Sequence, residues 1–251
     1  MTARFSWRRW LGDPLPWLIL LLAGFIFLMP LLRPLFAAAF PAIHPPIYDS
    51  DSFFDLFLSH AEIVLASSLA AIAIALPAGI FVTRPAGRDF RGAVDAIGTI
   101  GQTFPPVALL AIAVPVMGYG AMPTFLALTI YGLLPILVNT VAGLTAVPAT
   151  IREAAAGIGL TPLQILTRVE LPLAAPVIIA GIRTSVIINI GTATIGSTVG
   201  TVTLGTPIID GLVADKLPYI IQGGVIVGLF AIVTDMGFER LTRLARRYRS
   251  A

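Results

Sequence analysis

Residues 153–172 read EAAAGIGLTPLQILTRVELP, and the reading of this stretch orders the rest of the chain. It is the longest segment between membrane-grade apolar runs that also carries helix start and stop signals. Pro148 suits a first helical position, where its missing N–H has no intrahelical partner to lose. Ile151, Ala155 and Ile158 then fall on one face at helical spacing. Gly159 offers a left-handed stop. Thr161-Pro162-Leu163-Gln164 has the pattern of a capping box with proline at the first helical position. Leu163, Leu166 and Val169 make the next apolar stripe, and Leu171-Pro172 is expected to end it. The spacing predicts a helix–turn–helix over residues 148–172, amphipathic on both halves and lying between two membrane spans.

Composition supports the membrane setting. Of 251 residues, 57% are apolar and only 12% charged, with a mean hydropathy of +0.93. Soluble domains carry about twice that share of charge. The chain therefore reads as an integral membrane protein with little room for a soluble domain. With no cysteine, disulfides, thiolate zinc sites and cysteine catalysis are excluded. The isoelectric point near 9.7 reflects basic residues at membrane edges rather than a nucleic-acid surface.

In chain order, Arg4, Arg8 and Arg9 precede an apolar run from Leu15 to Leu32, closed by Pro30 and Arg33. Ala37-Ala38-Ala39 resembles a signal cleavage site, but the run is long for one, so a retained first helix is preferred. Residues 34–62 are polar and proline-rich and read as an extracytoplasmic loop, with a short interfacial helix around Phe53–Leu58. His44 and His60 lie among its acids at a spacing that matches no ligand pattern, so both are read as solvated, with no metal site. Further spans are expected at Ile63–Val82, Ile97–Met117, Pro123–Leu144, Ala174–Ile195 and Pro218–Val233. With both ends inside, thirteen of the sixteen basic residues fall on the inner face, the exceptions being Arg33, Arg183 and Lys216. That asymmetry sets the orientation and puts residues 148–172 in the cytoplasm.

Chemistry-bearing motifs are missing. There is one lysine, Lys216, and no G-x-x-x-x-G-K-[ST], so this chain has no P-loop for ATP. HExxH, GxSxG and a catalytic triad are also absent, and the reading is not an enzyme. A charge in hydrocarbon costs several kcal/mol, so intramembrane polar residues are functional candidates. Arg183 sits seven residues past Pro176 in the fifth span. It faces a translocation path, pairs with Asp95 or Asp235, or snorkels to the interface; these readings stay open. Ser185, Asn189 and Thr192 share the more polar face of the same span and, with Asn139 on the fourth, are candidates for pore lining. Helix–helix hydrogen bonding is the alternative.

The wording of the opening stretch is also that of a family. Glu153-Ala154-Ala155, then Gly159, then Val169-Glu170-Leu171-Pro172 stand at the spacing of the Glu-Ala-Ala, Gly, Ile-x-Leu-Pro signature, with Val169 in place of Ile. The chain resembles the membrane subunits of bacterial ATP-driven (ABC) importers that carry it. Gly101–Leu110, Tyr131–Thr140, Ala180–Thr184 and Ile190–Ile195 further resemble the permeases for glycine betaine, choline, carnitine and proline betaine. The resemblance covers about residues 60–235. One departure is Gly200-Thr201-Val202-Thr203-Leu204-Gly205, where the family has a glycine-rich run.

The resemblance implies an all-α integral membrane fold of about six transmembrane helices, with a five-helix type I importer core and a cytoplasmic coupling helix pair. The domains expected are an N-terminal helix and extracytoplasmic loop over 1–59, a permease domain over 60–236 with its coupling loop at 148–172, and a basic tail over 237–251. It implies that Glu153, Ala154, Ala155, Gly159, Leu171 and Pro172 couple to an ATPase dimer, which holds the ATP and Mg²⁺; no cofactor is expected on this chain. The other partners implied are a second permease chain, identical or related, an extracytoplasmic binding protein and membrane lipid, but no nucleic acid. The setting is the bacterial inner membrane with both termini cytoplasmic. Tyr119, Tyr131, Phe104 and Phe125 form no evident aromatic cage, which assigns high-affinity recognition to the binding protein. The rival readings are a permease of the same design for methionine, a sulfonate or an oxyanion, an ion-driven carrier, and a non-transporting scaffold. No internal repeat or mid-membrane acid favours the carrier.

Overall fold

A computed structural model describes residues 13–247 of the chain. Arg4, Arg8, Arg9 and Arg249, which enter the charge count, lie outside them. The described residues form helices and no strand. Helix α1, Pro14–Leu28, is capped by Asp13, whose carboxylate accepts from the Leu15 N–H at 3.1 Å. A 3₁₀ turn at Met29–Leu32 leads into the short α2, Arg33–Ala39. The long helices α3, Phe53–Val82, and α6, Ala121–Thr145, follow, separated by α4, Arg91–Thr103, and α5, Pro106–Met117. Next come α7, Ala149–Gly157, the single turn α8, Pro162–Ile165, and α9, Leu171–Ala193. Then α10, Thr206–Val213, leads to the final helix α11, Leu217–Arg247. Among the described residues, five helical stretches are long and apolar enough to cross a membrane: Pro14–Ala39, Phe53–Val82, Ala121–Thr145, Pro162–Val199 and Leu217–Ala245.

Three expectations change. The first concerns the proposed loop at 34–62. The first helical stretch runs on to Ala39, and the supposed interfacial helix Phe53–Leu58 is the opening of α3, capped by Ser52. At 30 residues, α3 is about 45 Å long, well over the roughly 30 Å of hydrocarbon. His60 is therefore not solvated. It is fully buried, and its Nε2 donates to the Ile190 carbonyl at 3.0 Å; His44 is exposed. Second, the span expected at 97–117 is two helices. Phe104 and Pro105 are extended (ψ 134° and 138°), because a residue before proline is driven out of the α region. Pro105 and Pro106 stand in succession, so the chain bends there, and the α4–α5 pair takes the place of the third span. Third, Leu171-Pro172 ends no helix. Leu166–Glu170 forms a π-turn that runs directly into α9. A wider turn relieves the clash between a proline ring and the carbonyl four residues earlier, so the helix passes through Pro172.

The core is built on α6, which packs between α3 and α9; α11 covers α9 and α10, and α1 lies against α11 and α3. Without a hydrophobic drive between helices in lipid, close approach depends on small residues. Gly181 marks the tightest crossing of α6 and α9. A Cβ there would lie 2.5 Å from Asn139 Cβ and 2.7 Å from the Pro135 carbonyl oxygen. Gly181→Ala is expected to lower folded stability by about 2 kcal/mol through overpacking, read as a lower midpoint of thermal unfolding in detergent; an unchanged midpoint would mean the helices are not this close.

The N-terminal helix is integrated rather than peripheral. Leu22, Ile26 and Met29 share one buried cluster with Leu56, Leu204 and Ile226. Asp13 pairs with Arg240 of α11. The loop beyond α2 is tied to α11 by the buried Gln222, which accepts from the Tyr48 N–H at 3.0 Å and donates to the Pro46 carbonyl at 2.8 Å. Burial and a hydrogen bond to Asp51 raise the Tyr48 phenol above its ordinary pKa, so it stays a donor. The threonines that depart from the glycine-rich run also find partners. Thr201 bonds Thr124 at 2.7 Å and the Gly120 carbonyl at 2.9 Å, and Thr203 bonds Ser197 at 2.9 Å. These hydroxyls fix the turn that glycine would leave free.

Candidate functional site

The Glu153–Pro172 stretch closes one end of the bundle. Pro148 is the residue before the first helical one, extended at ψ 138°, rather than the first position itself. From there α7 runs to Gly157, and Gly159 takes φ +87°, the left-handed turn expected of it. Thr161 and Gln164 make the reciprocal capping box, with Gln164 N–H to Thr161 Oγ1 at 3.4 Å and Thr161 N–H to Gln164 Oε1 at 2.9 Å. Of the face that the spacing put together, only Ala155 is buried. Ile158 is 79% exposed and Leu163 69%, and Ile151 is also exposed. Glu153 and Ala154 are exposed too, and the Glu153 side chain has no hydrogen bond or ion pair with any described residue. The loop thus offers an apolar surface edged by a free carboxylate. A side chain that short-range spacing did not single out stands behind it. Glu170, the last residue of the π-turn, is 1% exposed. Its carboxylate accepts from Arg84 Nη1 at 2.6 Å and lies 3.6 Å from Arg152 Nη1. The available signal was an acid placed beside the apolar stripe of Leu163, Leu166 and Val169.

In the membrane-spanning part, Arg183 of α9 pairs with Asp235 of α11 rather than with Asp95 or the interface. Its Nε lies 2.6 Å from Asp235 Oδ1, and Nη2 meets Oδ2. Asp95 instead faces Arg91, one turn away. Arg183, Thr184, Ile187, Ile188 and Asp235 line a hollow of about 440 Å³ on the open side of α9. Of the polar face of Ser185, Asn189 and Thr192, the first two are turned into the bundle. Ser185 and Asn189 are fully buried against α3 and α6, and Asn189 Nδ2 donates to Ser68 Oγ at 3.1 Å. Ser185 Oγ and Asn189 Oδ1 have no partner among the described residues. Thr192 is half-buried. Asn139 donates to the Pro135 carbonyl within its own helix at 2.8 Å. Ser185 and Asn189 thus stand at a helix crossing, where buried small polar residues serve association. None of Tyr119, Tyr131, Phe104 and Phe125 pairs with another as stacked rings. No group of three His, Asp or Glu side chains among the described residues is placed to hold a metal.

The chain is similar to known proteins in sequence and in fold. The family model described as "Binding-protein-dependent transport system inner membrane component" matches residues 71–247. The osmoprotectant import permease protein OsmY of Salmonella typhimurium is 42% identical over 176 residues, which is 70% of this chain and 75% of that one. The choline transport system permease protein OpuBB of Bacillus subtilis is 43% identical over 176 residues, 70% of this chain and 80% of that one. Among solved structures, the inward-facing methionine ABC transporter MetNI superposes with a TM-score of 0.67 at 23% identity, over 78% of this chain and 99% of that one. An amino acid ABC transporter with histidines superposes with a TM-score of 0.60 at 17% identity, over 77% and 92%. Both share the fold of this chain over about three quarters of its length. The match over most of the chain, and relatives above 40% identity, make this protein a member of the binding-protein-dependent transport system inner membrane component family.

Proposed function

We propose that this chain is the permease of an ATP-driven importer for a quaternary ammonium osmoprotectant: glycine betaine, choline, carnitine or proline betaine. A separate extracytoplasmic binding protein selects the solute and delivers it. Two copies of the chain, or this chain and a related one, form the path in the bacterial inner membrane. An ATPase dimer, which carries the ATP and Mg²⁺, docks on the cytoplasmic face, where both termini also lie. The observation that carries the coupling half of this reading is the exposed apolar turn of Ile158 and Leu163 beside the unpartnered Glu153. An amphipathic helix with that face fits a groove on a partner. The solute half rests on relatives named for osmoprotectant and choline transport. Rigid-body rocking of the spans, driven by closure of the ATPases, would alternate access to the path.

The test is uptake in proteoliposomes that hold the permease together with an ATPase subunit and a binding protein from the same organism. Labelled glycine betaine or choline should accumulate only with internal ATP. Uptake of methionine, a sulfonate or an oxyanion, with no betaine or choline, would give the substrate assignment to the rival reading. Uptake driven by an ion gradient without ATP would end the coupling assignment.

A further inference from the structure

Glu170 raises a physical question that the signature does not. A carboxylate is costly to strip of water, at several kcal/mol, and the cost is met only by good partners. Glu170 is nearly fully buried and has two, from parts of the chain far apart in sequence. Arg84 lies just past the end of α3, and its Nε is steadied by Thr83 Oγ1 at 3.2 Å. Arg152 lies on α7, next to Glu153. Glu170 itself stands where the π-turn becomes α9. One carboxylate therefore touches three elements: the end of α3, the helix that meets the partner, and the foot of the span that holds Arg183.

The two legs differ. The Arg84 leg is short, at 2.6 Å, and the Arg152 leg is longer, at 3.6 Å, with the Arg152 side chain 41% exposed. Little else holds α7. Ala155 is its one buried residue. A hollow of about 330 Å³, lined by Val147, Pro148, Ile151, Leu173 and Val177, lies beside its start. Among the described residues, Arg152 to Glu170 is the only side-chain polar tie between α7 and the body of the bundle. Helix α7 is thus free to shift on its apolar side and held on its ionic side.

We infer that Glu170 is a positioning residue for coupling: through Arg152 it holds α7 in register with α3 and α9, so that displacement of α7 moves the spans. Without the Arg152 leg, α7 still docks its exposed face, but its motion dissipates in the hollow at its base. The π-turn fits this role, because such turns interrupt the regular ladder at functional places. Both arginines are partly exposed, so they can be solvated when the carboxylate is lost.

This inference rests on the proposed ATP-driven reading, and the experiment separates the two. Wild type, Glu170→Gln, Arg152→Ala and the charge-matched control Arg88→Ala, an exposed residue of the α3–α4 connection, are each reconstituted with ATPase and binding protein. Solute imported per ATP hydrolysed is the readout. A variant that merely misfolds lowers import and hydrolysis together and leaves the ratio unchanged. The expected result is a ratio lower by about fivefold in Glu170→Gln and Arg152→Ala, with normal co-purification of the ATPase, and a wild-type ratio in Arg88→Ala. Arg152→Ala keeps the buried Arg84–Glu170 pair and so keeps the test alive if Glu170→Gln does not fold. If the wild type fails to import with ATP, the underlying reading fails. If the wild type imports and Arg152→Ala keeps its ratio, the tie of Arg152 to Glu170 has no part in coupling and the inference fails.

Discussion

Gly159→Pro is expected to abolish ATP-driven import while the protein still inserts and keeps its helical content. Gly159 sits at φ +87°, and proline is locked near −65°. Its N–H donates to the Ala156 carbonyl at 2.9 Å, a bond proline removes. No atom lies within 4 Å of a Cβ built there, so the damage is to the path of the chain and not to packing. The turn between α7 and α8 must open, and the exposed face of Ile151, Ile158 and Leu163 is then broken into parts that do not dock together. Gly159→Ala is the graded control. It asks an L-residue to take the left-handed conformation at a cost of about 1 kcal/mol, and so weakens import without ending it. Glu153→Lys attacks the same surface by charge. The side chain is exposed and without partners, so folding is untouched, yet import falls about 30-fold if the carboxylate meets a cation on the ATPase at a central contact. Uptake in proteoliposomes, alongside circular dichroism and ATPase co-purification, reads all three. Normal import in both Gly159→Pro and Glu153→Lys would remove the coupling role from this loop.

Local signals were legible in this chain where the cause is local. The left-handed Gly159 and the Thr161–Gln164 capping box depend on residues a few positions apart, and both stand as the spacing predicts. Proline was the least reliable mark. Pro105 and Pro106 break a run that hydropathy alone joins, whereas Pro172, read as a stop, is absorbed by a π-turn. The same residue type ends one helix and not another because the surrounding turn decides whether its ring finds room. The polar side chains failed for a different reason. Helical spacing places Ser185 and Asn189 on one face, but only the packing of α3 and α6 tells that this face is inside. Glu170 finds Arg84 across 86 positions, a pairing that no window of sequence contains.

The second large effect lies at Arg183 and Asp235. An unpaired charge at membrane depth costs about 3 kcal/mol, and each of these side chains is only 32% exposed in the single chain. Arg183→Ala leaves Asp235 without its cation, and Asp235→Ala strands the guanidinium. Each single change is therefore expected to lower folded stability by about 3 kcal/mol. The double change removes both charges and should cost much less than the sum, since what is lost is one pair and some packing between α9 and α11. That shortfall is the coupling energy of the pair. A snorkelling arginine gives another pattern: Asp235→Ala would then be nearly silent, and the two single effects would add. Unfolding of the four proteins in detergent, carried through the full cycle, separates the two. The geometry of two parallel contacts, Nε to Oδ1 and Nη2 to Oδ2, favours the pair, because a fork that matches a carboxylate loses little freedom in binding it. Lysine at 183 cannot restore that fork, so Arg183→Lys should recover only part of the stability that Arg183→Ala loses.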